Sequence, residues 1–134
     1  MGRGSSKSHK APYGTEFKTV YEYENIKFVR VKSGSVTAPQ YTMTKGRVYA
    51  TLNKKNEIKH ITFYDNDNDN GNDRLKQIDV KGHTHLINGK KIELHVHTGF
   101  NHDDGGEPRE ANAEEIAFVD KVRKIWDTVK GRVV

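Results

Sequence analysis

The stretch R-V-Y-A-T-L-N-K-K-N-E-I-K-H-I-T-F-Y, residues 47–64, decides the fold class. Its first part, Arg47 to Leu52, places Val48, Ala50 and Leu52 on one face of an extended chain, because strand side chains alternate sides. Lys54 to Glu57 is a polar turn. Ile58 to Tyr64 then returns with Ile61 and Phe63 inward. Two alternating runs around a short polar turn predict a β-hairpin.

The pattern extends both ways. Upstream, Lys18 to Tyr23 alternates, Glu24-Asn25 turns the chain, and Ile26 to Lys32 is a second strand. Residues 33–45 are looser, with Gly34 and Pro39 as breakers. Downstream, Arg74 to Val80 and Lys91 to Thr98 read as further strands. In the latter, Ile92, Leu94, Val96 and Thr98 face one way, and Glu93, His95 and His97 the other. Asn88-Gly89 is a strong turn dipeptide. One helix follows the polar stretch 99–112. Asn112 is its N-cap, Glu115 completes a capping box, and Phe118, Val119, Val122, Ile125, Trp126 and Val129 form one apolar stripe. The expected architecture is α+β: an antiparallel or mixed sheet of five to six strands packed by one C-terminal amphipathic helix.

Residues 1–15 read as a flexible basic arm, and 16–134 as a single α+β domain. No apolar run approaches the ~20 residues of a membrane span. With no cysteine, disulfides and thiolate zinc sites are excluded. A net charge of +5 favours polyanionic partners such as RNA, DNA or an acidic inhibitor; the ribonuclease chemistry below favours RNA. The run Asp65 to Asp73 imitates a calcium loop at Asp65, Asp67 and Asp69. It fails at Gly71, one place late, and at Lys76, where a bidentate Glu is needed. A polar turn is the expectation there. Tyr13, Tyr21, Tyr23 and Tyr49 interleave with Lys27, Lys45 and Arg47, which suits strands of a half-buried sheet better than a base-stacking surface.

Five of the seven histidines fall between Lys81 and His102. His83 and His85, and His95 and His97, are both H-x-H pairs. Residues two apart on a strand share a face, about 6.5–7 Å apart, so two imidazoles can converge on one ion or phosphate. A turn at Asn88-Gly89 would bring the two pairs side by side. The centre of the expected site is the outward face of the strand 91–98, with His60 and His9 standing apart. Two chemistries suit it. One is metal-independent RNA cleavage, with His95 and His97 as acid and base and His83, His85 and Lys81 supporting. Arg47, Lys45, Lys91 and Arg109 would contact nucleic acid. The other is a centre for zinc or another divalent metal, drawn from His83, His85, His95, His97 and His102 with an acid such as Glu93 or Asp103. A binding module without catalysis is the third possibility.

The segments K-G-R-V-Y-A-T-L-N (45–53), I-K-H-I-T-F-Y-D (58–65), K-Q-I-D-V (76–80), E-L-H-V-H-T-G-F-N-H-D (93–103) and V-R-K-I-W (122–126), with A-P-Y-G-T-E-F (11–17) before them, form a recognisable set. Together they resemble the C-terminal module of minor head (head morphogenesis) proteins of Gram-positive phages. Such modules are similar to polymorphic-toxin domains. The resemblance covers about 120 residues. It implies an α+β fold, a phage-associated, toxin-like endoribonuclease whose active histidines lie in 83–102, and partners among RNA, phage head components or an immunity protein. The implied location is cytoplasmic or virion-associated.

Overall fold

A computed structural model describes residues 16–39, 41–64, 72–80, 85–87, 90–92, 94–98 and 108–133. The basic arm, the Asp/Asn run up to Gly71, the Asn88-Gly89 turn, Glu93 and Asp103 lie outside these residues.

The strands are β1 (Phe17–Tyr23), β2 (Ile26–Val31), β3 (Tyr41–Thr42), β4 (Val48–Leu52), β5 (Ile58–Tyr64), β6 (Asn72–Asp79), β7 (His85–Ile87), β8 (Lys90–Ile92), β9 (His95–Thr98) and β10 (Arg109–Glu110). One helix, α1 (Ala113–Val133), closes the chain. The main sheet has eight strands in the order β1-β2-β4-β5-β6-β9-β10, with β3 also on β6, while β7 and β8 pair separately. β2 runs parallel to β4, and the other described pairs are antiparallel. The fold is thus the α+β mixed sheet with a C-terminal helix that the alternation predicts. The extra strands are short ones that no periodicity reveals, such as Tyr41–Thr42 and Arg109–Glu110.

The β4–β5 hairpin forms as expected, with Val48 opposite Phe63 and Ala50 opposite Ile61. Its tip is fixed by Asn53, whose Oδ1 accepts from the backbone N–H of Lys55 and of Glu57. Alternation gives the sheet two different faces. One carries Ile26, Phe28, Val48, Ala50, Leu52, Ile61, Ile78 and Val96, and it is covered by Val119, Val122, Trp126 and Val129 of α1. Trp126 stacks on Phe28 at 5.3 Å between ring centroids and donates its Nε1–H to the carbonyl of Asn56. Each such fully buried side chain contributes ~1.5–3 kcal/mol relative to exposure, so this layer holds the helix to the sheet.

The helix start follows its sequence signal. Asn112 Oδ1 accepts from the Glu115 backbone, and Glu115 Oε1 accepts from the Asn112 backbone, both at 2.8 Å. Glu115 is further gripped by Arg109 through two bonds, 2.8 and 2.9 Å, and by Lys76 at 2.9 Å. The Arg109 hydrogen bonds lead in holding its carboxyl down to about 2, and burial opposes them. No helix among the described residues is long and apolar enough to cross a membrane.

The second face is half apolar and half polar. Phe17, Val29, Val31, Tyr49 and Tyr64 form a small cluster toward one end. Next to it run Thr51, His60, Thr62, Gln77, Asp79, His95 and His97, brought together by cross-strand register.

A buried histidine and carboxylate cluster as candidate metal centre

Three strands build the site. On β5 and β6, His60 lies opposite Asp79 and Thr62 opposite Gln77. On β6 and β9, Asp79 lies opposite His95 and Gln77 opposite His97. Directly paired positions share a face, so all of these side chains point away from α1.

Asp79 is the hub. Its Oδ1 is 2.6 Å from His60 Nδ1 and accepts from Gln77 Nε2 at 2.9 Å. Gln77 Oε1 in turn accepts from Thr62 Oγ1 at 3.1 Å. Asp79 Oδ2 lies 3.1 Å from His95 Nε2 and 3.0 Å from His97 Nε2. A carboxylate only accepts, so His60 carries its proton on Nδ1. Burial pushes the Asp79 carboxyl up. The hydrogen bonds from His60 and Gln77 and the electrostatic attraction of His60 and His97 outweigh it, and the group is held well below the usual carboxylate range.

The cluster is an interior feature. His95 is 0% exposed, His60 6% and Asp79 5%. His97 is the member that reaches solvent, with 23% of its side chain exposed. This corrects the expectation of an outward strand face. His95 and His97 do point away from Val96 and the helix, but the sheet has interior on that side too. The expected strand 91–98 is also divided, with a bend at Leu94. Its two halves hydrogen-bond to different partners: β8 pairs with β7, and β9 pairs with β6.

That division puts His85 and His95 in different ladders. β7 and β8 form an antiparallel pair, but its register sets His85 opposite Ile92. The neighbour of His95 is Asp79 instead. Lys81, His83 and His102 lie outside the described residues. Of the expected nucleic-acid contacts, Lys91 lies on β8 opposite Leu86, and Lys45 is exposed in the turn before β4. Arg47 is paired with Glu22 at 2.8 Å, and Arg109 is committed to Glu115. Tyr49 and Lys27 are buried, and Tyr64 gives its hydroxyl hydrogen to the Pro39 carbonyl at 2.6 Å.

Two members escape a sequence reading based on histidine density: His60, set aside as isolated, and Asp79. A signal for Asp79 exists. A carboxylate is a poor strand former, and this one sits between Ile78 and Val80, both buried. An acid at that position must face away from the core and needs a partner.

One oxygen of Asp79 is occupied by His60 and Gln77, while the other converges with two imidazole nitrogens. The three donors, Asp79, His95 and His97, lie within 4.8 Å of one another. A tetrahedral zinc shell with bonds near 2.0–2.1 Å has donor separations of about 3.3 Å, so small side-chain shifts suffice to admit an ion. Two histidines and one carboxylate suit zinc or another first-row divalent metal. A scan against protein-family models, and searches of curated proteins and of solved structures, find no match for this chain.

Proposed function

We propose that this protein is a histidine and carboxylate metalloprotein, with Asp79 Oδ2, His95 Nε2 and His97 Nε2 as ligands to one divalent transition metal. The observation that carries this is the division of labour on Asp79: Oδ1 is held by His60 and Gln77, and Oδ2 meets both nitrogens of the H-x-H pair. Partners on the far oxygen of a ligating carboxylate orient it and tune its basicity. His97 is the member of the set that reaches solvent.

Zinc titration of chelator-stripped protein tests it. The expected result is one ion per chain, lost in His97→Ala. That variant changes a partly exposed side chain and should leave the fold intact by circular dichroism. Stoichiometric binding that survives in both His97→Ala and His95→Ala would overturn the proposal.

A second function is metal-independent RNA cleavage by a phage-associated, toxin-like domain. His97 favours it, because a partly exposed imidazole held by a buried carboxylate has the arrangement of an oriented general base. The segments that carry the phage-module resemblance, 58–65, 76–80 and 93–103, contribute His60, Asp79, His95 and His97. RNA cleavage in excess chelator that is lost in His97→Ala supports this function over the first. Cleavage that needs added metal joins hydrolysis to the metal centre.

A further inference from the structure

Gln77 and Thr62 stand beside the three proposed ligands without belonging to them. Gln77 lies two residues before Asp79 on β6 and therefore shares its face. Register sets Gln77 between Thr62 on β5 and His97 on β9. Both Gln77 and Thr62 are buried.

Chemistry fixes the direction of the hydrogen bonds in this pair. A carboxylate only accepts, so Gln77 turns its amide Nε2 to Asp79 Oδ1, at 2.9 Å. Its Oε1 then faces Thr62, whose hydroxyl donates to it at 3.1 Å. A reversed amide would set two acceptors against each other at Asp79. Thr62 thus locks the amide, and the amide holds the carboxylate. Because both are buried, breaking either bond leaves a polar group unsatisfied.

Each carboxylate oxygen offers two acceptor positions. On Asp79 Oδ1 both are taken, by His60 Nδ1 at 2.6 Å and by Gln77 Nε2. Only Oδ2, which faces His95 Nε2 and His97 Nε2, is left for an ion. The Gln77 oxygen, itself a donor type that metals accept, is turned to Thr62. Ions differ in what they ask of such a site. Zinc is satisfied by a small tetrahedral shell that includes imidazoles. Manganese favours a larger octahedral shell rich in oxygen.

We infer that Gln77, locked by Thr62, is a positioning residue that keeps Asp79 a one-oxygen ligand and so makes the proposed centre selective for zinc, with cobalt as its stand-in, over manganese. This rests on the metal centre proposed above and narrows the class of ion that it takes. Nitrogen and oxygen sites in general favour zinc over manganese, so the change on substitution, not the parent's preference alone, carries the test.

The experiment is a titration of chelator-stripped protein with cobalt(II), zinc and manganese, comparing the parent with Gln77→Met and Thr62→Val. Both substitutions roughly keep the size of the side chain and remove its hydrogen bonds, and circular dichroism checks that each variant is folded. The parent's cobalt complex should show the intense visible absorption of a tetrahedral shell. In Gln77→Met the second oxygen of Asp79 is free to turn to the ion. That band should weaken, and the preference for zinc over manganese should fall at least about tenfold. Thr62→Val should move both readouts the same way by less, and it decides the matter if Gln77→Met does not fold. A residue that only supports the fold would weaken all ions together and leave the cobalt spectrum unchanged. An intense band and an unchanged zinc preference in the folded variants overturn the inference while the metal centre stands, and so does a weak cobalt band in the parent. A parent that takes up no ion overturns the metal centre and this inference with it.

Discussion

His60 and Asp79 face each other across the β5–β6 ladder, with His60 Nδ1 2.6 Å from Asp79 Oδ1, although they are 19 residues apart in the chain. This bond holds the carboxylate so that its other oxygen meets His95 and His97. In the proposed metal centre His60 is thereby an orienting residue rather than a ligand. His60→Ala should lower zinc affinity by about 10–100-fold while the stoichiometry stays at one ion per chain. Calorimetric titration distinguishes this from loss of a ligand, which would abolish stoichiometric binding. An unchanged affinity would mean that Gln77 alone suffices to hold Asp79.

Glu115 makes the helix start acid-sensitive. Its carboxyl sits at about 2 in the folded protein, against an ordinary value near 4.5. A depressed acid stabilises the fold above its ordinary value, and that stability is lost as the pH falls toward the folded value. Glu115→Gln should therefore cost about 1–2 kcal/mol at pH 7, after allowance for solvent around Arg109. The cost should shrink between about pH 4.5 and pH 2. Urea unfolding of both proteins across this range checks it. The difference between them isolates Glu115 from Asp79, which also titrates at acid pH. Parallel stability curves would contradict the assignment.

Thr51 lies opposite His60, and its hydroxyl is buried with no hydrogen-bond partner among the described residues. A buried hydroxyl that bonds to nothing costs free energy. Thr51→Val keeps the shape and removes the cost, so stability should be unchanged or rise by up to about 1 kcal/mol. Destabilisation by more than about 1 kcal/mol in a denaturant melt would show that the hydroxyl is bonded in solution.

Trp126 joins the helix to the β4–β5 turn by its stack on Phe28 and its bond to the Asn56 carbonyl. Trp126→Phe keeps an aromatic ring and loses the bond. A loss of about 1–3 kcal/mol is expected, from the unpaired carbonyl and the smaller ring. Far-UV circular dichroism is the readout, because the substitution removes the single tryptophan. Stability equal to the parent would show that the helix is held by its aliphatic stripe alone.

Local pattern determined much of this protein. The β4–β5 hairpin follows from alternation around a four-residue polar turn. The start of α1 follows from Asn112 and Glu115, and its buried stripe from the 3.6-residue period. That His95 and His97 share a face also follows, because neighbours two apart on a strand must. These features depend on residues close in sequence, whose geometry the backbone dictates.

Tertiary structure decided the rest. The sequence puts β5, β6 and β9 in no spatial order, and that order alone unites His60, Asp79 and His95. It also broke the strand 91–98, since hydrogen bonding of 90–92 to 85–87 and of 95–98 to β6 cannot both continue one straight ladder. Whether a polar strand face meets water or interior depends on what packs over it, and periodicity reports only alternation. The shared face of His95 and His97 was legible, but the acid beside them comes from another strand, through contacts that only the folded sheet creates.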